Sequence, residues 1–259
     1  MGHHGQMHAQ PGIEIPEGIS DQGVAGRYAM SGGPVTAFRS RRSALSNAQR
    51  ETWERLWPRL GMSVGPTSAE QPRLDIREWF GRAAPLVLEI GSGTGTSTLA
   101  MAAEEPDIDV IAVEVYKRGL AQLLCAIDRE QVSNIRLIRS EATYVLQHLI
   151  APSSLSGVRV FFPDPWPKAR HHKRRLLQPA TVGLICERLR PGGVLHVATD
   201  HAGYAEHIAE VGDAEPRLRR VEPGAVLPIS TVRPTTKYET KAQDVGSAVA
   251  ELIWKRPGN

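Results

Sequence analysis

The sequence predicts an α/β fold, with a doubly wound, mostly parallel sheet of seven strands, helices on both faces and an antiparallel C-terminal hairpin. Two observations predict this class. From residue 86 onward, short apolar runs typical of buried strands alternate with longer amphipathic stretches typical of helices. A glycine-rich turn follows the first apolar run and opens the next helix, which is common in parallel sheets that bind a ligand at their strand ends.

The chain ahead of this alternation divides into a tail and a helical region. Residues 1–37 are rich in Gly, His, Gln and Pro, so we expect a disordered tail, followed by one domain over 38–259. Apolar residues recur at helical spacing in 46–60 and predict a helix there, with Ser46 as its N-cap. We expect a loop over 61–72 and a short helix over 74–80.

The alternating region supplies the remaining elements in order. Strands are predicted at 86–90, 110–113, 135–138, 158–162 and 194–198, and helices near 97–104, 116–130, 142–150, 178–189 and 202–211. The sequence Arg190-Pro191-Gly192-Gly193 is predicted to end the fourth of these helices and to form a turn. Two last strands, near 218–222 and 248–254, are expected to pair with each other in antiparallel fashion.

Bulk properties exclude several classes of protein. No segment approaches the ~20 apolar residues that span a membrane, and the N-terminus lacks a signal-peptide pattern, so we expect a cytoplasmic protein. Cys125 and Cys186 lie in apolar helical patterns without Cys or His at ligand spacing, so we expect buried free thiols and no metal. The sequence leaves monomer and homodimer open.

The positive charge of the chain is local. The net charge is only +3, from 31 basic and 28 acidic residues, and five of the basic residues fall within 168–175. Such a patch on a near-neutral body is typical of a protein that binds a polyanion, and nucleic acid is the expected partner. Upstream, Arg39, Arg41 and Arg42 are interpreted either as a solvated tail or as an arm that folds onto RNA.

The glycine-rich turn predicts a cofactor site. Gly91, Gly93 and Gly95 allow a sharp turn and close approach of a ligand to the backbone. Glu114 ends the next strand, where a carboxylate can hold both hydroxyls of a ribose. A dinucleotide and S-adenosylmethionine both fit this arrangement.

Further acidic residues favour S-adenosylmethionine. Glu89, directly before the turn, would repel the pyrophosphate of a dinucleotide but suits a ligand that carries an ammonium and a sulfonium group. Glu141 follows the third strand and is placed to meet the adenine amino group. The alternative for Glu141 is that it only begins a helix, where the dipole favours an acid.

Asp164 predicts the reaction site. It follows the fourth strand within Pro163-Asp164-Pro165-Trp166-Pro167, whose prolines stiffen the turn. A carboxylate held there can accept hydrogen bonds from N1–H and N2–H of guanine, which leaves N7 exposed to a methyl donor. Because N7 carries no proton, orientation of the base and exclusion of water suffice, and a strong base is not required.

The motifs together resemble a known family. The blocks FFPDPWPKARHHKRR, LEIGSGTG, VATDHAGYAEH and RPTTKYE occur in the order typical of the bacterial tRNA (guanine-N7)-methyltransferases, and the similarity extends from about Arg39 to Trp254. This resemblance implies a Rossmann-like methyltransferase that acts on guanine 46 of the tRNA variable loop. It also implies that Asp164 is catalytic and lines the cofactor site together with Glu89, Glu114 and Glu141.

The resemblance assigns two further groups of residues. Substrate contacts are implied for Lys168, Asp200, Thr236, Lys237, Tyr238 and Glu239. RNA contacts are implied for Arg170, His171, His172, Lys173, Arg174 and Arg175. Asp200 is also a candidate N-cap for the helix over 202–211. Glu141 departs from the aspartate common in the family, so the geometry of its contact is left open.

Two other functions are weighed against this one. Asp164 between prolines faintly resembles the Asp-Pro-Pro-aromatic motif of adenine-N6 methyltransferases, but there both prolines follow the acid. A non-catalytic RNA-binding module with a degenerate cofactor fold is the other alternative. The intact glycine turn and the three cofactor acids argue against it.

Overall fold

The computed structural model describes residues 44–66, 72–222, 224–235 and 248–258. The predicted tail over 1–37 and the basic residues Arg39, Arg41 and Arg42 lie outside the described residues, as does the block Thr236–Glu239. None of the helices in the described part of the chain is long and apolar enough to cross a membrane.

The described residues form helices and strands in the predicted alternation. Helices α1 to α7 are Asn47–Leu60, Ile76–Phe80, Thr96–Glu104, Lys117–Glu130, Ala142–Tyr144, Pro179–Arg188 and Ala202–Ala214. Strands β1 to β8 are Gly61–Ser63, Leu86–Ile90, Asp109–Glu114, Ile135–Arg139, Leu155–Phe161, Leu189–Thr199, Arg219–Arg220 and Ala250–Lys255. Helix α5 continues as a π-helical turn over Val145–Leu149, and a 3₁₀ helix spans Ala169–Arg174.

The strands form one mixed sheet in the order β1-β4-β3-β2-β5-β6-β8-β7. The first six of these run parallel, and β8 pairs antiparallel with both β6 and β7. The doubly wound sheet with an antiparallel C-terminal pair is therefore confirmed. Helices cover both faces, which explains why every residue of β2 and β3 is buried.

Among the described residues the sheet has eight strands rather than the predicted seven, because the segment predicted as a loop begins with β1. Gly61 to Ser63 pair with Leu137 to Arg139 of β4. A three-residue strand is too short to show the alternation that predicts strands from sequence. Gly61 is required where α1 meets β1, since a Cβ there would lie 2.3 Å from the Trp57 ring.

The turn predicted at Arg190-Pro191-Gly192-Gly193 is also wrong, because these residues belong to β6 and do not form a separate turn. The register between β5 and β6 shifts in this region, which marks a bulge. Gly192 adopts a φ of 83° there, and Gly193 accepts a hydrogen bond of 2.8 Å from the Arg256 amide. The sequence signals a turn correctly, but the chain accommodates it within the strand.

The N-terminal helix forms as predicted. The Ser46 side chain accepts a hydrogen bond from the Gln49 amide, and the Gln49 side chain accepts one from the Ser46 amide, which completes a capping box. Leu56 and Leu60 of α1 are buried in the same apolar cluster as Leu123 of α4. This packing fixes α1 against α4, the helix that follows β3.

The two cysteines are free, as predicted, although only Cys186 is fully buried and Cys125 is partly exposed. Burial raises the pKa of the Cys186 thiol. Within the described ranges, no group of His, Cys, Asp and Glu side chains has the arrangement of a metal site.

Candidate cofactor and substrate site

The site is built at one edge of the sheet. Strands β4, β3, β2 and β5 are adjacent and parallel, so their carboxyl ends lie side by side. Each of them carries one of the predicted acids at or just after that end, namely Glu141, Glu114, Glu89 and Asp164 respectively. The topology therefore brings the four predicted carboxylates to the same edge, where open α/β sheets bind ligands.

The glycine turn between β2 and α3 requires glycine for two different reasons. Gly91, Gly93 and Gly95 have φ values of 72°, 57° and 78°, in the left-handed region that other residues avoid. At Gly95 space is also limiting, because a Cβ would lie 2.6 Å from the Leu123 side chain. A Cβ at Gly91 or Gly93 would meet no atom of the described residues within 4 Å, so these residues leave open space over the first half of the turn.

Gly119, in the first turn of α4, was missed by the sequence analysis. A Cβ at this position would lie 2.2 Å from the carbonyl oxygen of Gly93. Helix α4 therefore packs directly on the glycine turn and supports it. A glycine in the third position of an otherwise good helix was the only sequence signal for this contact.

Glu114 is held rigidly at the end of β3. Its Oε2 accepts a hydrogen bond of 2.9 Å from the Gly93 amide, and its Oε1 accepts bonds of 2.7 and 3.1 Å from the amides of Val115 and Tyr116. These contacts fix the carboxylate beside the turn. An ionised carboxylate has about four acceptor positions, and these amides fill three of them, so ribose hydroxyls would share the two oxygens with the amides.

Glu89 has a very different environment. Only 3% of the residue is exposed, and its Oε2 has no hydrogen-bond partner among the described residues. Burial raises the pKa of Glu89 to about 7, while the charge of Arg159 and the Thr98 hydroxyl partly oppose this rise. Because buried carboxylate oxygens normally find a donor, the site fits a ligand that brings one, such as an ammonium group.

Two serines near these acids also lack partners. The Oγ atoms of Ser92, in the glycine turn, and of Ser140, directly before Glu141, are buried without a hydrogen-bond partner among the described residues. The sequence analysis did not assign either serine to the site. Glu141 occupies the N-cap position of α5, but its side chain makes no capping hydrogen bond.

Asp164 lies on an exposed turn that Arg175 stabilises. The flanking residues Phe162 and Trp166 have positive φ values of 51° and 44°, which are strained for non-glycine residues. Arg175 stabilises the turn, because its Nε donates a hydrogen bond of 2.8 Å to the Pro165 carbonyl oxygen. The guanidinium of Arg175 also lies 4.7 Å above the ring of the buried Tyr204.

The predicted RNA-binding run divides into exposed and engaged side chains. Lys168, Arg170 and Lys173 are exposed, and the last two belong to the 3₁₀ helix. Arg174 lies over the Trp166 ring at 5.1 Å. Arg175 is only 4% exposed, so its position does not suit the RNA contact expected from the sequence.

The two histidines of this run contact its other residues. Arg170 Nε donates to His171 Nε2 at 3.3 Å, and His172 Nε2 lies 3.4 Å from the Pro167 carbonyl oxygen. Partial burial, followed by the charges of Arg174, Arg170 and Lys168, lowers the pKa of His171. The lowered pKa favours the neutral ring, in agreement with the role of His171 as a hydrogen-bond acceptor.

Asp200 follows β6 at the same edge of the sheet as Asp164, since β5 and β6 run parallel. The prediction that Asp200 caps α7 is wrong. The N-cap is His201, whose Nδ1 accepts a hydrogen bond of 3.1 Å from the Tyr204 amide. The substrate contacts expected from Thr236, Lys237, Tyr238 and Glu239 lie outside the described residues.

Sequence similarity to known proteins identifies the family of this chain. A family model described as "Putative methyltransferase" matches residues 83–252. A tRNA (guanine-N(7)-)-methyltransferase of Mycobacterium avium strain 104 is 70% identical over 259 residues, which cover 99% of this chain and 100% of that protein. The protein of the same name from Mycobacterium tuberculosis H37Rv is 66% identical over 261 residues, which cover 100% of this chain and 97% of that protein.

Among solved structures, the aminoglycoside resistance methyltransferase NpmB1 matches with a TM-score of 0.48 and 17% identity, over 74% of this chain and 97% of that one. The assignment rests on the full-length sequence relatives. From the extent and the identity of those matches, the chain belongs to the tRNA (guanine-N(7)-)-methyltransferase family.

Proposed function

We propose that the protein transfers a methyl group from S-adenosylmethionine to N7 of a guanine in tRNA. One observation carries the proposal. The same sheet edge holds a buried carboxylate, Glu89, whose Oε2 has no hydrogen-bond partner among the described residues, and an exposed carboxylate on a strained turn, Asp164, which a basic 3₁₀ helix follows. The reaction named for the mycobacterial relatives agrees with this arrangement. The resemblance of the sequence motifs narrows the target to guanine 46 of the variable loop.

The cofactor is assigned to the acids around the glycine turn. Glu89 would accept a hydrogen bond from the ammonium group, Glu114 would hold the ribose hydroxyls, and Glu141 would meet the adenine amino group. Gly91 and Gly93 leave open space over the turn. When it is bound, S-adenosylmethionine supplies an electrophilic methyl group on a sulfonium. A dinucleotide fits poorly, because its pyrophosphate would lie beside the Glu89 carboxylate.

Asp164 is assigned to the base. Its exposed carboxylate can accept hydrogen bonds from N1–H and N2–H of guanine at once, and this bidentate contact fixes the ring in one orientation. Guanine N7 already has an in-plane lone pair and carries no proton. The protein therefore contributes orientation and exclusion of water, and no residue has to remove a proton before the methyl transfer.

The exposed cations after the turn are assigned to the RNA backbone. Lys168, Arg170 and Lys173 can contact phosphates near the target base, which offsets part of the cost of taking the base out of its stack. Arg175 is left out of this group, because it is buried and stabilises the Asp164 turn. Asp200 and the block 236–239 are proposed to contact the substrate on the basis of the sequence motifs alone.

The proposal is tested by a labelling assay. The protein is incubated with methyl-labelled S-adenosylmethionine and an unmodified tRNA transcript, and the RNA is digested to nucleosides. We expect the label in 7-methylguanosine, and no label when guanine 46 is replaced by adenine. Label in methyladenosine would favour an adenine-N6 methyltransferase, and no label from folded protein would favour a non-catalytic RNA-binding module.

A further inference from the structure

A row of buried ionisable side chains crosses the sheet next to the cofactor site. Glu89 of β2 is the register partner of Arg159 of β5, and Arg159 is the register partner of His196 of β6. The three residues are 3%, 0% and 0% exposed. Buried charges are costly unless they are paired, so the members of the row require partners.

Arg159 finds such partners in two other segments. Its Nη2 donates to Glu105 Oε2 at 2.6 Å and to the Ser230 carbonyl oxygen at 3.1 Å. The Ser230 amide in turn donates to Glu105 Oε1 at 2.6 Å. Glu105 caps the C-terminus of α3, the helix that begins at the glycine turn. These contacts join β5, α3 and the segment around Ser230.

The segment 224–235, called the strap below, lies directly on β5. Ile229 is buried, and a Cβ on Gly157 of β5 would lie 2.3 Å from its side chain. The strap thus covers the face of the sheet that carries the row, and the hydrogen bonds of Ser230 with Glu105 and Arg159 hold it there.

The strap then extends toward the Asp164 turn. Arg233 Nη2 donates to Glu251 Oε1 at 3.0 Å, and Glu251 Oε2 lies 2.9 Å from His196 Nε2. The Arg233 guanidinium lies 5.0 Å from the ring of Phe162, directly before the proline-rich turn. The strap is therefore linked to the row at one point and to the substrate side of the site at another.

We propose that Arg159 is a positioning residue for the methyl transfer. It couples the attachment of the strap to the availability of the Glu89 carboxylate for the ligand. The proposal rests on the proposed role of Glu89 as a cofactor ligand. Arg159 Nε and Nη1 are buried without partners among the described residues, as is Glu89 Oε2. The guanidinium thus has unused donors beside a carboxylate that has an unused acceptor.

Two consequences follow from this arrangement. The charge of Arg159 lowers the pKa of Glu89 against the effect of burial, so it favours the anion that an ammonium group requires. Glu105 and Ser230 hold Arg159 on the strap side, which keeps Glu89 available to the ligand. Without Glu105, Arg159 would turn to the carboxylate of its register partner Glu89 and would compete with the ligand.

The coupling is tested by ligand binding and by amide hydrogen exchange on the full chain. S-adenosylhomocysteine is the probe, because it carries the same ammonium group and cannot be turned over. We expect bound S-adenosylhomocysteine to slow exchange in the strap by about fivefold or more in the wild type, since coupling between two sites is reciprocal. In Arg159→Met and Glu105→Gln, its dissociation constant should rise about tenfold and the protection of the strap should be lost.

Two further variants make the outcome decisive. Arg159→Lys, which keeps the charge, should recover part of the affinity and of the protection. Arg217→Gln breaks a more exposed Arg–Glu pair outside the row, with Glu215, and should change neither. If Arg159→Met fails to fold, Glu105→Gln and Arg159→Lys carry the test, because Glu105 is partly exposed and lysine retains the cation.

Glu89→Gln distinguishes the proposed role of Arg159 from the proposed role of Glu89 as a cofactor ligand. If it lowers affinity while Arg159→Met and Glu105→Gln retain wild-type affinity and strap exchange, the role of Arg159 is refuted and that of Glu89 stands. If Glu89→Gln itself binds S-adenosylhomocysteine as tightly as the wild type, the cofactor assignment of Glu89 is wrong.

Discussion

Two carboxylates at the same sheet edge have opposite environments, and the difference matches their proposed roles. Asp164 is exposed on a turn strained at both flanks, so its position is set by the backbone and by Arg175 beneath it. Glu89 is buried, and its Oε2 has no partner in the part of the chain that the structure describes. An exposed acceptor suits a base delivered by a large RNA, whereas a buried one suits a small cationic group that enters the sheet edge.

Replacement of Asp164 by asparagine should reduce turnover with little effect on tRNA affinity. The amide keeps one acceptor but places an NH₂ group against the guanine donors, and a bidentate contact with a base edge contributes ~1–3 kcal/mol. We expect the single-turnover rate constant for methyl transfer to fall by about 10- to 100-fold. The tRNA dissociation constant should stay within about threefold of wild type. Asp107→Asn, at the opposite edge of the sheet, is the matched control and should be neutral. Wild-type turnover in Asp164→Asn would refute the orientation role.

Cofactor affinity should depend on pH through Glu89. Its pKa of about 7 in the free protein means that the carboxyl is protonated in acid, and only the anion pairs with an ammonium group. Below pH 7 the association constant should therefore fall by up to about tenfold per pH unit. Calorimetric titration with S-adenosylhomocysteine between pH 5.5 and 8 measures this. Glu89→Gln should give a flat profile, and a wild-type profile that is equally flat would contradict the assignment.

At the scale of elements, the 3₁₀ helix after the Asp164 turn separates two uses of positive charge. Arg175 and Arg174 contact the turn itself, one beneath Pro165 and one over Trp166. Lys168, Arg170 and Lys173 remain exposed. The short helix thus presents its cations at a fixed distance from Asp164, because its last residue, Arg174, and the next residue, Arg175, contact the turn.

Neutralising the exposed cations should weaken the salt dependence of tRNA binding. In the triple variant Lys168→Gln, Arg170→Gln and Lys173→Gln, the slope of log affinity against log salt should decrease by about 0.7–0.9 per lost phosphate contact. Filter binding at several salt concentrations measures it. The control variant replaces with glutamine three arginines that are exposed where the parallel strands begin, namely Arg77, Arg129 and Arg219. An equal decrease in both triple variants would place the RNA surface elsewhere.

The contact between α4 and the glycine turn makes a sharp prediction for Gly119→Ala. The new Cβ would meet the Gly93 carbonyl oxygen at 2.2 Å, and backbone cannot move aside cheaply. We expect the dissociation constant for S-adenosylhomocysteine to rise about tenfold or more, because α4 must move away from the turn.

Gly183→Ala in α6 is the control for this substitution. Its nearest neighbours are side-chain atoms at 3.5 Å or more, so alanine should stabilise the helix by about 0.5–1 kcal/mol and leave affinity unchanged. Equal affinities of the two alanine variants would contradict a supporting role for Gly119.

At the scale of the molecule, prediction from sequence succeeded where local pattern and topology agree. Continuous apolar runs predict β2 and β3, and the parallel order then brings Glu89, Glu114 and Asp164 to one edge. It failed where the deciding partner is distant in sequence. The burial of Arg175 depends on Tyr204, and the attachment of the strap to Arg159 joins residues 71 positions apart.

Burial of Glu89 should also limit the stability of the whole protein. Its pKa is about 7 in the folded state against 4.5 for an ordinary glutamate, so between these values the folded protein binds more protons than the unfolded chain. The free energy of unfolding therefore falls as pH rises from 4.5 to 7, by up to about 3 kcal/mol. Glu89→Gln removes this loss and should be more stable than the wild type above pH 7, but little different near pH 4.5. Urea unfolding at pH 5 and pH 8 measures the gap in the free energy of unfolding between Glu89→Gln and the wild type. The exposed Glu130→Gln is a control that should show no such gap. A gap of the same size at both pH values would mean that the charge of Glu89 is not its cause. A gap that widens with pH would show that the protein sacrifices stability to keep a carboxylate ready for its ligand.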